Sequence, residues 1–127
     1  MMNKEAIEIF IKSLLDQATN IQKYNDRAPT NSKYPYLIID SSSVSINEYP
    51  RIDISLELNV WDRSQNYSSV NRVADEIQLF FDRKSFVNDQ YVFTFYIDSR
   101  DNLDDEDKTL KRCLIKYDLE IYSKEES

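Results

Sequence analysis

Residues 51–63 read Arg51-Ile52-Asp53-Ile54-Ser55-Leu56-Glu57-Leu58-Asn59-Val60-Trp61-Asp62-Arg63. Polar and apolar side chains alternate from Arg51 to Val60, which is the period of a β-strand with one buried face and one wet face. In a helix the same apolar side chains would scatter around the axis, because a helix turns once in about 3.6 residues. The stretch therefore predicts a long strand in a sheet that is solvated on one side.

Three further segments have the character of strands. A short apolar run at 36–39 follows Pro35, residues 91–98 carry aromatic side chains on both faces, and apolar side chains alternate over residues 113–122. A serine-rich connection, 41–50, joins the first of these segments to the central strand. It is too short for a helical crossover, so it predicts an antiparallel hairpin with an extended, mobile tip.

Two segments have the apolar spacing of amphipathic helices. Asn3 is the candidate N-cap of the first, and Asn66 or Ser68 of the second. Their apolar side chains recur at steps of three and four residues: Ile7, Phe10, Ile11, Leu14, Leu15 and Ala18 in the first, and Val70, Val73, Ala74, Ile77, Phe80 and Phe81 in the second. Each stripe predicts a helix that packs on the sheet. The mixed charge of the first helix's other face disfavours lipid binding.

The order of these elements is helix, strand, strand, helix, strand, strand. It predicts an α+β fold in which one four-stranded antiparallel sheet carries both helices on one face. No proline- or serine-rich linker divides the 127 residues into two units, so we expect one domain over residues 1–122. Residues 123–127 are then expected to form a flexible C-terminal tail.

The composition argues against an enzyme. The chain has no histidine and no glycine, so it lacks the commonest general base and the residue that phosphate-binding loops and nucleophile elbows require. Cys113 is the only cysteine and lies in an apolar alternation, which favours a buried, inert thiol over a reactive one. We therefore expect no catalytic residue, no cofactor and no resident metal.

The charge and the apolar runs limit the classes of partner. With 16 basic and 23 acidic residues the net charge is −7, a field that repels nucleic acid at long range. No stretch approaches the roughly 18 apolar residues of a membrane span, and the N-terminus lacks the pattern of a secretion signal. We expect a protein that is made in the cytoplasm and binds no membrane.

An acidic loop precedes the last strand and contains Asp101, Asp104, Asp105, Glu106 and Asp107. Its carboxylates have the chemistry of calcium ligands, but the EF-hand spacing fails and the turn glycine is missing. A solvated hairpin tip is the favoured alternative.

Trp61 ends the central strand beside Asp62 and Arg63 and is the only tryptophan. It is either a core residue at a strand end or an interface anchor, since tryptophan and arginine are over-represented at binding hot spots. Asp53 and Glu57 share the wet face, where solubility is favoured over a role in acid–base chemistry. The candidate surface for another subunit or partner comprises Arg51, Asp53, Glu57, Trp61, Asp62 and Arg63, with Val44, Ile46 and Tyr49 of the preceding connection.

Several of these features occur together in a known family. An N-terminal amphipathic helix is followed by Tyr34-Pro35-Tyr36-Leu37-Ile38-Ile39, by the long strand ending Val60-Trp61-Asp62-Arg63, and by a helix beginning near Val70. An acid-rich turn and an alternating strand close the pattern. The chain resembles, over roughly residues 3–122, the tail completion proteins of tailed bacteriophages, which are the small tail-terminator or head-to-tail joining proteins of siphovirus-type particles.

The resemblance implies a structural role in the virion. Members of the family have a mixed α/β fold with an antiparallel sheet and no catalytic residues, and they form a ring, commonly hexameric, at the head–tail interface. The implied partners are further copies of the chain, the tail tube protein and a head connector or stopper protein. DNA would pass through the subunit ring without specific binding, and acidic loops in its lumen would repel phosphate.

Two other functions compete with this hypothesis. One is a monomeric cytosolic adaptor or regulatory domain that recognises a peptide at a sheet edge. A small enzyme is the weakest alternative, because histidine and glycine are missing.

Overall fold

The computed structural model describes residues 4–46, 51–82 and 84–124, with side chains from residue 5 and without those of 42–46. The described elements are α1 (Lys4–Ala18), β1 (Gln22–Asn25), β2 (Tyr36–Ile46), β3 (Arg51–Arg63), α2 (Ser68–Phe81), β4 (Ser85–Val87), β5 (Tyr91–Asp104) and β6 (Leu110–Ser123).

The strands form one mixed sheet of six, in the order β1-β2-β3-β6-β5-β4, which curves into a half-barrel. β1 pairs with β2 in parallel, and every other neighbouring pair is antiparallel. The prediction of a four-stranded antiparallel sheet in the order α-β-β-α-β-β is therefore wrong. β1 and β4 are additional strands, one at each edge of the sheet.

Both additional strands are short and have no alternation that marks them. β1 reads Gln-Lys-Tyr-Asn and β4 reads Ser-Phe-Val, and neither has a buried face of its own. They become strands because β2 and β5 offer them unpaired backbone groups. Asp26, with φ of 67°, ends β1 in the left-handed region that aspartate tolerates.

The long strands extend further than their apolar patterns. β2 continues through the serines to Ile46, where the sequence predicts a connection, and its backbone pairs with β3 up to Ile52. Residues 47–50, which hold the predicted hairpin tip, lie outside the described residues. β5 continues to Asp104, so Asp101 and Asp104 of the predicted acidic loop lie in a strand, and only Asp105, Glu106 and Asp107 lie in the connection to β6. β6 reaches Ser123, whose neighbour Lys124 donates its backbone N–H to the Gln90 carbonyl.

The core lies between the two helices and one face of the sheet. It includes the apolar side chains of β3 that the alternation predicts to be buried, from Ile54 to Val60. The helices contribute Ile7, Ile11, Leu14 and Leu15 from α1, and Val70, Val73, Ala74, Ile77 and Phe81 from α2. Asn66 Oδ1 accepts the Ser68 N–H (2.9 Å) at the start of α2, whereas the candidate cap Asn3 lies outside the described residues. Neither described helix combines the length and the apolar character needed to cross a membrane.

A bulge between Ile97 and Ser99 changes which face the later β5 side chains occupy. Beyond it, Arg100 points toward the helices and donates to Asp75 Oδ1 (2.7 Å) and to the Asn71 carbonyl oxygen (3.1 Å). These bonds fasten α2 to the sheet beside the apolar core.

Tyr117 carries a polar atom into the core. It is 2% exposed, and its hydroxyl has no hydrogen-bond partner among the described residues. The aromatic rings of Phe81 and Phe95 pack against it. Burial raises the pKa of Tyr117 to about 12, because a phenolate is disfavoured in apolar surroundings.

We predict that Tyr117→Phe stabilises the fold by about 1 kcal/mol, because the desolvation cost of an unpaired buried hydroxyl is removed.

The Tyr117→Phe substitution should also make the stability of the fold less sensitive to alkaline pH. The raised folded-state pKa, from 10.0 to about 12, contributes stability that is present below pH 10 and is lost as the pH rises toward 12. Urea unfolding at about pH 7 and about pH 11 should show that the wild type loses more unfolding free energy between the two pH values than the variant does. Equal losses would contradict this assignment.

Candidate interaction surface

One face of the sheet carries neither of the described helices. We call it the open face, and its large or charged side chains are Tyr36, Ile38 and Asp40 of β2; Arg51, Asp53, Glu57 and Trp61 of β3; Val92, Tyr96, Asp101 and Leu103 of β5; and Arg112, Leu114, Lys116, Asp118, Glu120 and Tyr122 of β6. Most of them are half-buried. A sheet face that mixes aromatic, aliphatic and charged side chains in this way is suited to contact another protein.

The aromatic end of the open face lies where β2 begins and β3 ends, and comprises Tyr34, Tyr36, Trp61, Arg63 and Arg112. The pairing of β3 with both neighbours places Tyr36, Trp61 and Arg112 in one row across three strands. The Arg112 guanidinium carbon lies 5.1 Å from the centre of the Trp61 ring, within the range of a cation–π contact. Trp61 is therefore a half-buried residue of the open face and not part of the apolar core.

Two tyrosines extend the aromatic end from β3 onto the start of β2 and the residues before it. Tyr34 stacks on Tyr36 with ring centres 5.1 Å apart, and the Arg63 guanidinium carbon lies 5.4 Å from the Tyr34 ring centre. Burial, with a smaller contribution from the Tyr34 hydroxyl, raises the pKa of Tyr36 to about 12. The Tyr36 phenol therefore remains neutral at physiological pH, and the arginine guanidinium groups supply the positive charge here.

The opposite, charged end of the open face is organised around Arg51. Its guanidinium binds Asp53 Oδ1 (2.9 Å) and Glu120 Oε1 (2.5 Å) and lies 5.9 Å from the Tyr122 ring centre. The hydrogen bond that Arg51 donates to Asp53 is the largest cause that raises the pKa of Arg51. These charges border a shallow groove that Tyr96 and Asp118 also line. Because the pairs are partly exposed to solvent, they contribute little to stability.

Residues 104–109, from the last residue of β5 to the start of β6, form an ordered turn that we call the acidic turn. The Tyr67 hydroxyl donates to Asp104, and the Thr109 hydroxyl donates to Asp107 Oδ1 (2.7 Å). These two hydrogen bonds are the largest causes that lower the pKa values of Asp104 and Asp107. Arg63 Nη1 lies 3.3 Å from Asp107 Oδ2, which joins the turn to the end of β3. These carboxylates therefore have local structural partners, and no group of three or more candidate metal ligands occurs among the described residues.

Cys113 lies under α2 and is fully buried. Burial raises the pKa of its thiol, and the nearby Arg100 only partly offsets this effect. A thiol in this protonated state is a poor nucleophile. The arrangement is that of an inert core cysteine.

The structure brings together only part of the surface expected from the sequence. Arg51, Asp53, Glu57 and Trp61 share the open face, whereas Asp62 points toward α2 and accepts the hydroxyl of Ser69. Arg63 reaches both the aromatic end and the acidic turn. The side chains of Val44 and Ile46, and all of Tyr49, lie outside the described residues. The surface predicted from the sequence lacks Arg112, Leu114, Asp118 and Glu120, although these residues alternate with the apolar set that begins at Cys113, which was the signal that could have found them.

Comparison with known proteins gives no relative: neither a family model nor a curated protein sequence matches this chain.

We predict that Trp61 of the free chain is accessible to acrylamide, because its indole is only half-buried on the open face. As the only tryptophan, it reports on this face alone. Covering the aromatic end with a partner should shift its emission to the blue and protect it from quenching. Arg112→Ala should increase quenching, because it removes the guanidinium that covers one face of the indole. Lys116→Ala, on the same strand, is the control and should leave quenching unchanged. Trp61 emission that is already protected in the free chain would contradict this placement.

Proposed function

We propose that this protein is a structural virion-assembly protein that caps a phage tail tube and joins it to the head connector as an oligomeric ring. The observation that carries the proposal is the open face, with Trp61 and its tyrosine and arginine neighbours at one end. The resemblance of the sequence pattern to tail completion proteins supplies the particular assembly.

The open face has the composition of a protein contact. A sheet face that is permanently solvated usually carries polar side chains, whereas Tyr36, Ile38, Trp61 and Leu114 add large apolar groups to this one. Tryptophan, tyrosine and arginine are the residues that most often dominate binding energy. Contacts made at this face would leave the helices and the core unchanged.

The negative charge of the chain favours a ring through which DNA passes without being bound. The net charge is −7, and the acidic turn is exposed at its tip. A lumen that repels phosphate lets a duplex slide, since phosphate contacts supply most non-specific affinity. Asp104 and Asp107 also accept hydrogen bonds that stabilise the turn. Charge reversal at the exposed Glu106 therefore tests the repulsion of DNA phosphate with less effect on folding than reversal at either aspartate.

A monomeric adaptor that binds a peptide at a sheet edge is the second candidate. It is favoured by the outer edges of β2 and β5, which β1 and β4 cover only in part. Neighbouring genes distinguish the two roles. Genes for a tail tube protein and a head connector on either side favour the subunit ring, and metabolic genes favour the adaptor.

In a phage that encodes this chain, we predict that Trp61→Ala folds but leaves heads and tails unjoined. Truncation of a hot-spot residue costs about 3 kcal/mol, which weakens each contact roughly 100-fold. Electron microscopy of the lysate would count unjoined tails, and circular dichroism of the purified variant would verify its fold. Leu79→Ala is the matched control, because Leu79 is a large exposed side chain (76%) on α2, away from the open face.

Wild-type yields of joined particles with a folded Trp61→Ala variant would count against the proposal. Loss of joining with Leu79→Ala as well would show that the effect is not specific to the open face.

A further inference from the structure

Both outer long strands have a segment of edge without a strand partner. β1 pairs with β2 only over residues 36–39, and β4 pairs with β5 only over residues 92–94. Within the described chain no strand covers residues 40–46, the free β2 edge, or residues 95–104, the free β5 edge. Each segment contains a β-bulge, but neither contains lysine or proline, two residues that prevent one sheet edge from pairing with another.

The hydrogen bonds at the two edges identify the backbone groups that point outward. The Ile39 carbonyl accepts the Asp26 N–H (3.1 Å), and the Tyr91 carbonyl accepts the Asn88 N–H (3.0 Å). Because the direction alternates along a strand, the N–H of Ser41 also faces outward on β2.

The same alternation can be followed along β5 past its bulge. The backbone N–H and C=O of Ile97 point outward, as those of Tyr91 do. Ile97 lies opposite Tyr117. Beyond the bulge Arg100 lies opposite Ile115, two residues from Tyr117 on β6, so Arg100 and then Asn102 face outward too.

The strand directions suit a repeating contact between copies of the chain. β2 is antiparallel to β3, β3 to β6, and β6 to β5, so β2 and β5 run in opposite directions on opposite sides of the sheet. Two copies in the same orientation, side by side, therefore bring β2 of one antiparallel to β5 of the next. We infer that the free β2 edge of one copy pairs with the free β5 edge of another, which forms a head-to-tail sheet across subunits.

The positions of the two free edges fix the stagger of this contact. Ser43, at the centre of the free β2 edge, lies in the row of Ile54, while Arg100 lies in the row of Leu58 through Ile115. Aligning the two centres offsets neighbours by four residues, which is ~14 Å at about 3.4 Å per residue. A barrel of tilted strands accommodates such an offset, because strand tilt and stagger are linked. The inference deepens the proposed subunit ring and rests on it for the identity of the partner.

Two proline variants test the inference at the backbone. Ser41→Pro and Asn102→Pro each remove an outward N–H that the chain's own sheet does not use, and proline is tolerated at such edge positions. Ser41→Ala and Asn102→Ala are the matched controls, because they change the side chain and keep the N–H. Sedimentation velocity at up to about 1 mM protein detects even millimolar dissociation constants.

The expected result has three parts. The wild type and both alanine variants self-associate, and each proline variant alone associates at least about tenfold more weakly, since a ladder bond is lost and the pyrrolidine obstructs the neighbour. An equimolar mixture of the two proline variants forms a 1:1 dimer through the edge that each retains intact. Only a head-to-tail contact between two different edges gives this complementation.

A wild type that stays monomeric, proline variants that associate like the wild type, or a mixture without heterodimers would each overturn the inference. If a proline variant unfolds, hydrogen exchange of the wild type decides instead: the amides of the two free edges should exchange more slowly after assembly, and unchanged rates would overturn it. The head-joining assay measures the proposed function separately, so either idea can fail without the other.

Discussion

The register of β3 between β2 and β6 is the constraint on which the rest of the molecule depends. It directs the apolar half of the alternation, Ile54 to Val60, toward the helices and aligns it with the buried residues of β6. A slip of one residue would expose that whole set to water. The same register places Trp61 between Tyr36 and Arg112 on the other side of the sheet. The core and the candidate interaction surface are therefore two consequences of one pairing.

Much of this could be predicted from the sequence, because the long strands and both helices carry periodic apolar patterns. The edge strands β1 and β4 could not, since their structure comes from pairing and not from a pattern of their own. The serines of β2 favour turns locally, yet the neighbouring strand β3 holds them extended. The site was partly predictable for the same reason. The wet face of β3 was visible in the alternation, whereas Arg112 became its neighbour only through pairing between distant segments.

The open face and the free edges are suited to different kinds of contact. The face presents side chains, with aromatic groups and arginines at one end and the Arg51 charges at the other, so it can select a partner by shape and charge. The edges present backbone groups, which select for strand direction and little else. A subunit that repeats through its edges would keep its open face available to a different partner. This division suits a protein that both forms a ring and joins two other structures.

We propose that the open face and the two free edges join this chain to its neighbours at the head–tail junction. An electron cryomicroscopy reconstruction of that junction would show these contacts. We expect a closed ring in which the β2 edge of each subunit lies against the β5 edge of the next, with Trp61 covered by protein. A junction without this chain, or one whose subunits touch only through α1 and α2, would rule out this arrangement.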